Sequence, residues 1–95
     1  MKAADIDNAA RLAEIRRRLE ADFDPVSLEV IDESHLHAGH AGARDGRGHF
    51  RVVIRSDAFA GLPMIRRHRL VYESMGTMMQ SDIHALTIDA QSPDA

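Results

Sequence analysis

The apolar residues of this chain change their spacing from segment to segment, and the order of those changes restricts the fold more than any single residue does. Leu12, Ile15, Leu19 and Phe23 recur every three or four positions, which predicts a helix from about Ile6 to Asp22 with one buried stripe, ended by Pro25. Val26–Asp32 then alternates, with Val26, Leu28 and Val30 on one face, as a half-buried strand does. Phe50, Val52 and Ile54 mark a second strand that ends at Ser56-Asp57. Pro63 suits the opening of a second helix, whose stripe reads Ile65, His68, Tyr72, Met75 and Met79. Ile83–Ala90 is a last strand with His84, Leu86 and Ile88 on one face.

This order of helix, strand, strand, helix, strand predicts an α+β fold: one three-stranded mixed sheet with its helices packed on one face. The closing strand–helix–strand unit predicts a third strand parallel to the second, through a right-handed crossover. The chain has 95 residues, the length of one small domain over 1–95, with a core from about 6 to 90 and a frayed tail at 91–95. It has no cysteine, so it can hold neither a disulfide nor a thiolate-bound cluster of its own. No apolar run approaches the ~20 residues of a membrane span, and no secretory signal opens the sequence, so a cytoplasmic domain is expected.

Six histidines are an unusual number for this length, and three of them fall within Ser34-His35-Leu36-His37-Ala38-Gly39-His40. The segment from Ser34 to Gly48 contains four of the six glycines and has no apolar period, so it reads as a long loop between the first two strands. If the third strand is parallel to the second, His84 starts at the same end of the sheet as His49, and the loop opens there too. Histidines far apart in sequence would then share one rim. Neutral imidazole is a good ligand for first-row transition metals. The alternative is a solvated polar loop, since these spacings match no helical metal motif. By its place in the strand His84 reads first as a hydrogen-bonded residue at the edge of the core, and His68 more strongly still as a packed imidazole on the second helix.

Arg66, Arg67 and Arg69 form a local basic patch on the second helix, which suits a phosphate or simply water. The net charge of −3 argues against strong general attraction to nucleic acid. No arrangement of nucleophile, base and oxyanion donors can be assembled, so an enzyme is not expected, nor a small-molecule substrate.

Taken together, these residues resemble the BolA family. Asp32-Glu33-Ser34-His35-Leu36-His37-Ala38-Gly39-His40-Ala41-Gly42 resembles its loop signature. His49-Phe50-Arg51-Val52, followed by Ser56 and Phe59, resembles its second strand and turn. Arg67-His68-Arg69-Leu70-Val71-Tyr72 resembles its helix signature, and Ile83-His84-Ala85-Leu86 its last strand. The four blocks stand in order between about Leu12 and Ala90. The resemblance implies an α-β-β-α-β fold like that of class II KH domains. It also implies partnership with a monothiol glutaredoxin around a shared [2Fe–2S] cluster, with no cofactor in the isolated chain.

In that arrangement the glutaredoxin cysteine and glutathione supply sulfur and the BolA-like protein supplies imidazole. His37 matches the loop ligand and His84 the ligand on the last strand; His35 and His40 are alternative loop ligands. Arg66, Arg67, His68 and Arg69 fall in the partner or nucleic-acid interface. Iron–sulfur trafficking or iron and redox sensing is the implied role, and cluster binding should weaken below about pH 6 as imidazoles protonate. The rival reading, also attached to the family, is a DNA-binding regulator of stress and morphology that uses the basic second helix. One departure stands out: Gly48 occupies the place where the family usually has threonine.

Overall fold

The computed structural model describes residues 3–37 and 47–93. Helix α1 (Ala3–Phe23) leads into strand β1 (Ser27–Asp32) and a 3₁₀ turn at Ser34–His37. Strand β2 (Gly48–Arg55) is followed by a second 3₁₀ turn at Asp57–Phe59, then by α2 (Met64–Met75), the single-turn α3 (Met78–Ser81) and β3 (Ile83–Gln91). The sheet order is β1-β2-β3, with β1 antiparallel and β3 parallel to β2. The expected α+β architecture with its mixed three-stranded sheet is therefore present.

The core lies between the helices and one face of the sheet. Ile15 and Leu19 of α1, Val71 and Met75 of α2, and Phe50, Val52 and Ile54 of β2 are buried to 1% exposure or less. Phe23 and Phe59 close the far end with ring centroids 5.0 Å apart. Ser56, fully buried, ties this end together: its Oγ donates to the Phe23 carbonyl at 2.5 Å and accepts from the Ala58 amide at 3.1 Å. The opposite face of the sheet carries charge. There Arg51 Nε lies 2.8 Å from Glu33 Oε2, and that bond raises the Arg51 pKa.

Three details of α2 and β3 differ from the sequence reading. The second helix stops at Met75 instead of running to Met79, because Gly76 adopts φ 56°, a conformation that L side chains resist, and the chain restarts as α3. Its buried stripe is also rotated: Val71 and Met75 are buried, as is Met78 of α3, whereas Ile65 (67% exposed) and Tyr72 (40%) face outward. Side-chain bonds to backbone carbonyls of the preceding turn and of β3 hold it in this orientation. Arg67 Nε donates to the Leu62 carbonyl at 2.8 Å and its Nη1 to the Ala90 carbonyl at 3.0 Å, while the Tyr72 hydroxyl reaches the Leu86 carbonyl at 3.4 Å.

The third difference is in β3. Its register against β2 shifts between Gly48 and His49, which pair with Ile83 and Ala85, so one extra residue, His84, is inserted. Ile83 and Leu86 are both buried, but His84 is ejected and exposed instead of sharing the core-facing side with Leu86 and Ile88. The strand also reaches Gln91, whose carbonyl accepts from the Ser56 amide at 2.9 Å, and Ser92 beyond it is buried.

Candidate metal-ligating rim

The sheet topology gathers the histidines at one end. Because β3 is parallel to β2, His49 and His84 are neighbours at the two strand starts. Because β1 is antiparallel to β2, its last residue, Asp32, lies opposite Phe50, and the Ser34–His37 turn emerges at the same end. Ser34 fastens that turn. Its amide donates to Asp32 Oδ1 at 2.9 Å, and its Oγ accepts from the His49 amide at 3.0 Å. The Glu33 amide in turn donates to the His49 carbonyl at 2.8 Å. On the other flank, the Gly48 amide donates to the Asp82 carbonyl at 2.9 Å, and Arg11 Nε holds Asp82 Oδ1 at 2.9 Å. That guanidinium, followed by the Ser81 hydroxyl, lowers the Asp82 pKa.

At the centre of the rim the His49 and His84 rings lie 5.0 Å apart, centroid to centroid, tilted by 46°. His49 is buried at 7% exposure and His84 is exposed, so the pair presents one sheltered and one accessible imidazole. Arg47 Nη2 approaches His84 Nδ1 at 3.1 Å. His35 is exposed on the 3₁₀ turn, and His37 closes that turn, its side chain lying outside the described ones. His40 lies outside the described residues, as do Arg44 and the glycine-rich remainder of the loop.

His49 is the residue that sequence reasoning left out of the ligand set. The expected parallel register already placed it beside His84, but its alternation with Phe50 gave no sign that it would be buried on the face without helices. Gly48 is explained by the same packing. A Cβ there would come within 2.6 Å of the Phe50 ring, which is itself buried, so the threonine usual in the family has no room.

Among the described residues no three His, Cys, Asp or Glu side chains converge as a metal site. The described part of the rim brings together two imidazoles, those of His49 and His84.

The basic helix divides into unlike parts. Arg66 and Arg69 are exposed beside Met64, Ile65 and Tyr72, whereas Arg67 is half-buried and committed to backbone carbonyls. His68 is half-buried, with its Nε2 buried and lacking a hydrogen-bond partner among the described residues. Elsewhere, a cavity of about 400 Å³ between α1 and α3 is lined by Arg11, Glu14, Arg18 and Asp82. Its charges already satisfy one another through the Arg11–Asp82 and Arg18–Glu14 pairs. No described helix is long and apolar enough to cross a membrane.

Comparison with known proteins agrees with this architecture. The sequence pattern of the family described as BolA-like protein matches residues 19–95. SufE-like protein 1 (chloroplastic/mitochondrial) of Arabidopsis thaliana is 48% identical over 84 residues, covering 83% of this chain and 23% of that protein. Protein BOLA1, chloroplastic, from the same organism is 38% identical over 86 residues, covering 87% of this chain and 54% of its own. The chain thus spans about a quarter and about half of these two relatives. The DNA-binding transcriptional regulator BolA of Escherichia coli is 40% identical over 74 residues, covering 78% of this chain and 68% of its own. The solved BolA domain of SufE1 from Arabidopsis thaliana superposes with a TM-score of 0.80 at 46% identity, covering 88% of this chain and 93% of that one. With residues 19–95 matching the family pattern and the fold shared with a solved domain of the family, the chain belongs to the BolA-like protein family.

Proposed function

We propose that this chain binds a monothiol glutaredoxin and co-ligates a [2Fe–2S] cluster with it, in iron–sulfur trafficking or iron and redox sensing. The observation that supports this most is His84, lifted out of β3 by a bulge and set beside His49 on the rim that also holds His35 and His37. Imidazole from His84, together with one from the His35–His37 turn or from His49, would serve as the nitrogen side of the shared centre. Sulfur has to come from the glutaredoxin cysteine and glutathione, because this chain has no thiol. When bound, the cluster supplies a one-electron couple whose potential is higher with imidazole ligands than with thiolates alone. The chain's own contribution is placement. Ser34 clips the turn to β2, the His49 ring backs the His84 ring, and Arg11–Asp82 fixes the approach to β3.

The test is co-purification with a monothiol glutaredoxin and glutathione, followed by visible absorption and circular dichroism. The expected result is a spectrum distinct from that of the glutaredoxin homodimer, lost or altered in His84→Ala and in His37→Ala. A spectrum indifferent to both changes would remove imidazole ligation. A second reading, DNA binding through α2, is supported by the exposure of Arg66 and Arg69 and by the name of the Escherichia coli relative. It lacks Arg67, whose guanidinium is bonded into the fold.

A further inference from the structure

We infer that Arg47 is a positioning residue that holds His84 in a non-ligating state until a partner displaces it; this inference rests on the reading of His84 as a ligand. Arg47 Nη2 lies 3.1 Å from His84 Nδ1. A guanidinium carries only donors and keeps its charge at any ordinary pH, so Nδ1 must be the acceptor in this bond. In a neutral ring the single proton then sits on Nε2. One nitrogen has its lone pair engaged and the other is protonated, so no lone pair of His84 is open to a metal. Ligation through Nδ1 requires Arg47 to leave. Ligation through Nε2 requires the proton to move to Nδ1, which again requires Arg47 to leave.

The backbone explains how Arg47 reaches this position. The next residue, Gly48, is bonded to the Asp82 carbonyl, which brings the end of the loop across the turn before β3. Arg47 Nη1 also comes within 3.5 Å of the Gln80 carbonyl. Both contacts are at the surface, where such bonds exchange with water at little cost, so the guanidinium acts as a removable guard and not as a lock. Its charge adds a second effect. Even swung aside, a cation tethered roughly 5–10 Å from an incoming divalent ion weakens binding, by up to about tenfold in a water-like dielectric. A centre that arrives with its own thiolates meets much less of that repulsion. Arg47 thus biases the histidine pair against free metal ions and toward a metal delivered with anionic ligands.

The experiment uses the isolated full chain at pH 8, above the usual imidazole range. Nitrogen-15 imidazole spectra of the wild type should place the His84 proton on Nε2, and Arg47→Ala should move the population toward Nδ1. Zinc chloride, followed through the same signals, should bind Arg47→Ala about tenfold more tightly than the wild type, and the gain should vanish when His84→Ala is added. A wild-type ring protonated on Nδ1 would overturn the inference. So would an equal zinc response in the two proteins, whether both bind or neither does. No partner is present in these measurements, so their failure is distinct from that of the cluster proposal, which the His84→Ala cluster spectrum decides.

Discussion

Gly48 and Phe50 determine how tightly the histidine rim can close. The backbone of residue 48 passes so near the Phe50 ring that a single methyl group would overlap it, and that ring is itself buried. Gly48→Ala is therefore expected to destabilise the fold by about 1–3 kcal/mol through overpacking. This would appear as a thermal midpoint lowered by about 4–8 °C per kcal/mol in calorimetry. An unchanged midpoint would mean that the ring turns aside freely. The imidazole pair illustrates what was legible at this scale. His84 was identifiable from its place in the strand signature, but its exposure was not, because alternation puts it with Leu86 and only the inserted residue reverses it. His49 was passed over for a related reason, since a histidine next to a buried phenylalanine reads as the polar side of a strand.

At the scale of elements, strand identities and order were legible because period-2 spacing survives even in short segments. The orientation of α2 was not. Counting apolar residues selected Ile65 and Tyr72, whereas the helix is turned by bonds that begin on an arginine and a tyrosine and end on backbone carbonyls. Its end was missed because glycine is tolerated inside a helical pattern and only its φ reveals a stop.

A comparable tether joins α1 to the end of α2. Glu14 accepts from Arg17 at 2.6 and 2.9 Å and from Arg18 at 2.7 Å, and Arg18 in turn donates to the Met75 carbonyl at 2.7 Å. The bonds from Arg17 first, then Arg18, lower the Glu14 pKa from 4.5 to about 2. A carboxylate with a depressed folded-state value contributes stability above its unfolded value, and that contribution is lost as pH falls toward the folded one. Between about pH 4.5 and pH 2, Glu14→Gln is thus expected to flatten the dependence of denaturation midpoint on pH. The group is half-exposed, so added salt should shrink the wild-type effect. An identical slope in the two proteins would show that Glu14 has no part in acid unfolding.

For the whole molecule, the net charge of −3 understates how far its cations are already committed. Arg11, Arg17, Arg18 and Arg51 face carboxylates, and Arg67 faces carbonyls. If α2 meets DNA, the contact falls to Arg66 and Arg69. Replacing both by alanine is expected to reduce the steepness of log affinity against log salt by roughly 2, measured by fluorescence anisotropy on a labelled duplex. An unchanged slope rejects α2 as the contact. Arg67→Ala belongs outside this comparison, because its loss would loosen the helix itself.

The bonds from α2 to the sheet margin carry one more implication. Tyr72 and Arg67 take the Leu86 and Ala90 carbonyls, which point away from the sheet's interior because Gln91, one residue on, directs its own carbonyl inward to Ser56. A foreign peptide aligning itself along that border would find two of its docking points occupied by the helix. Growth into ribbons is discouraged on that flank.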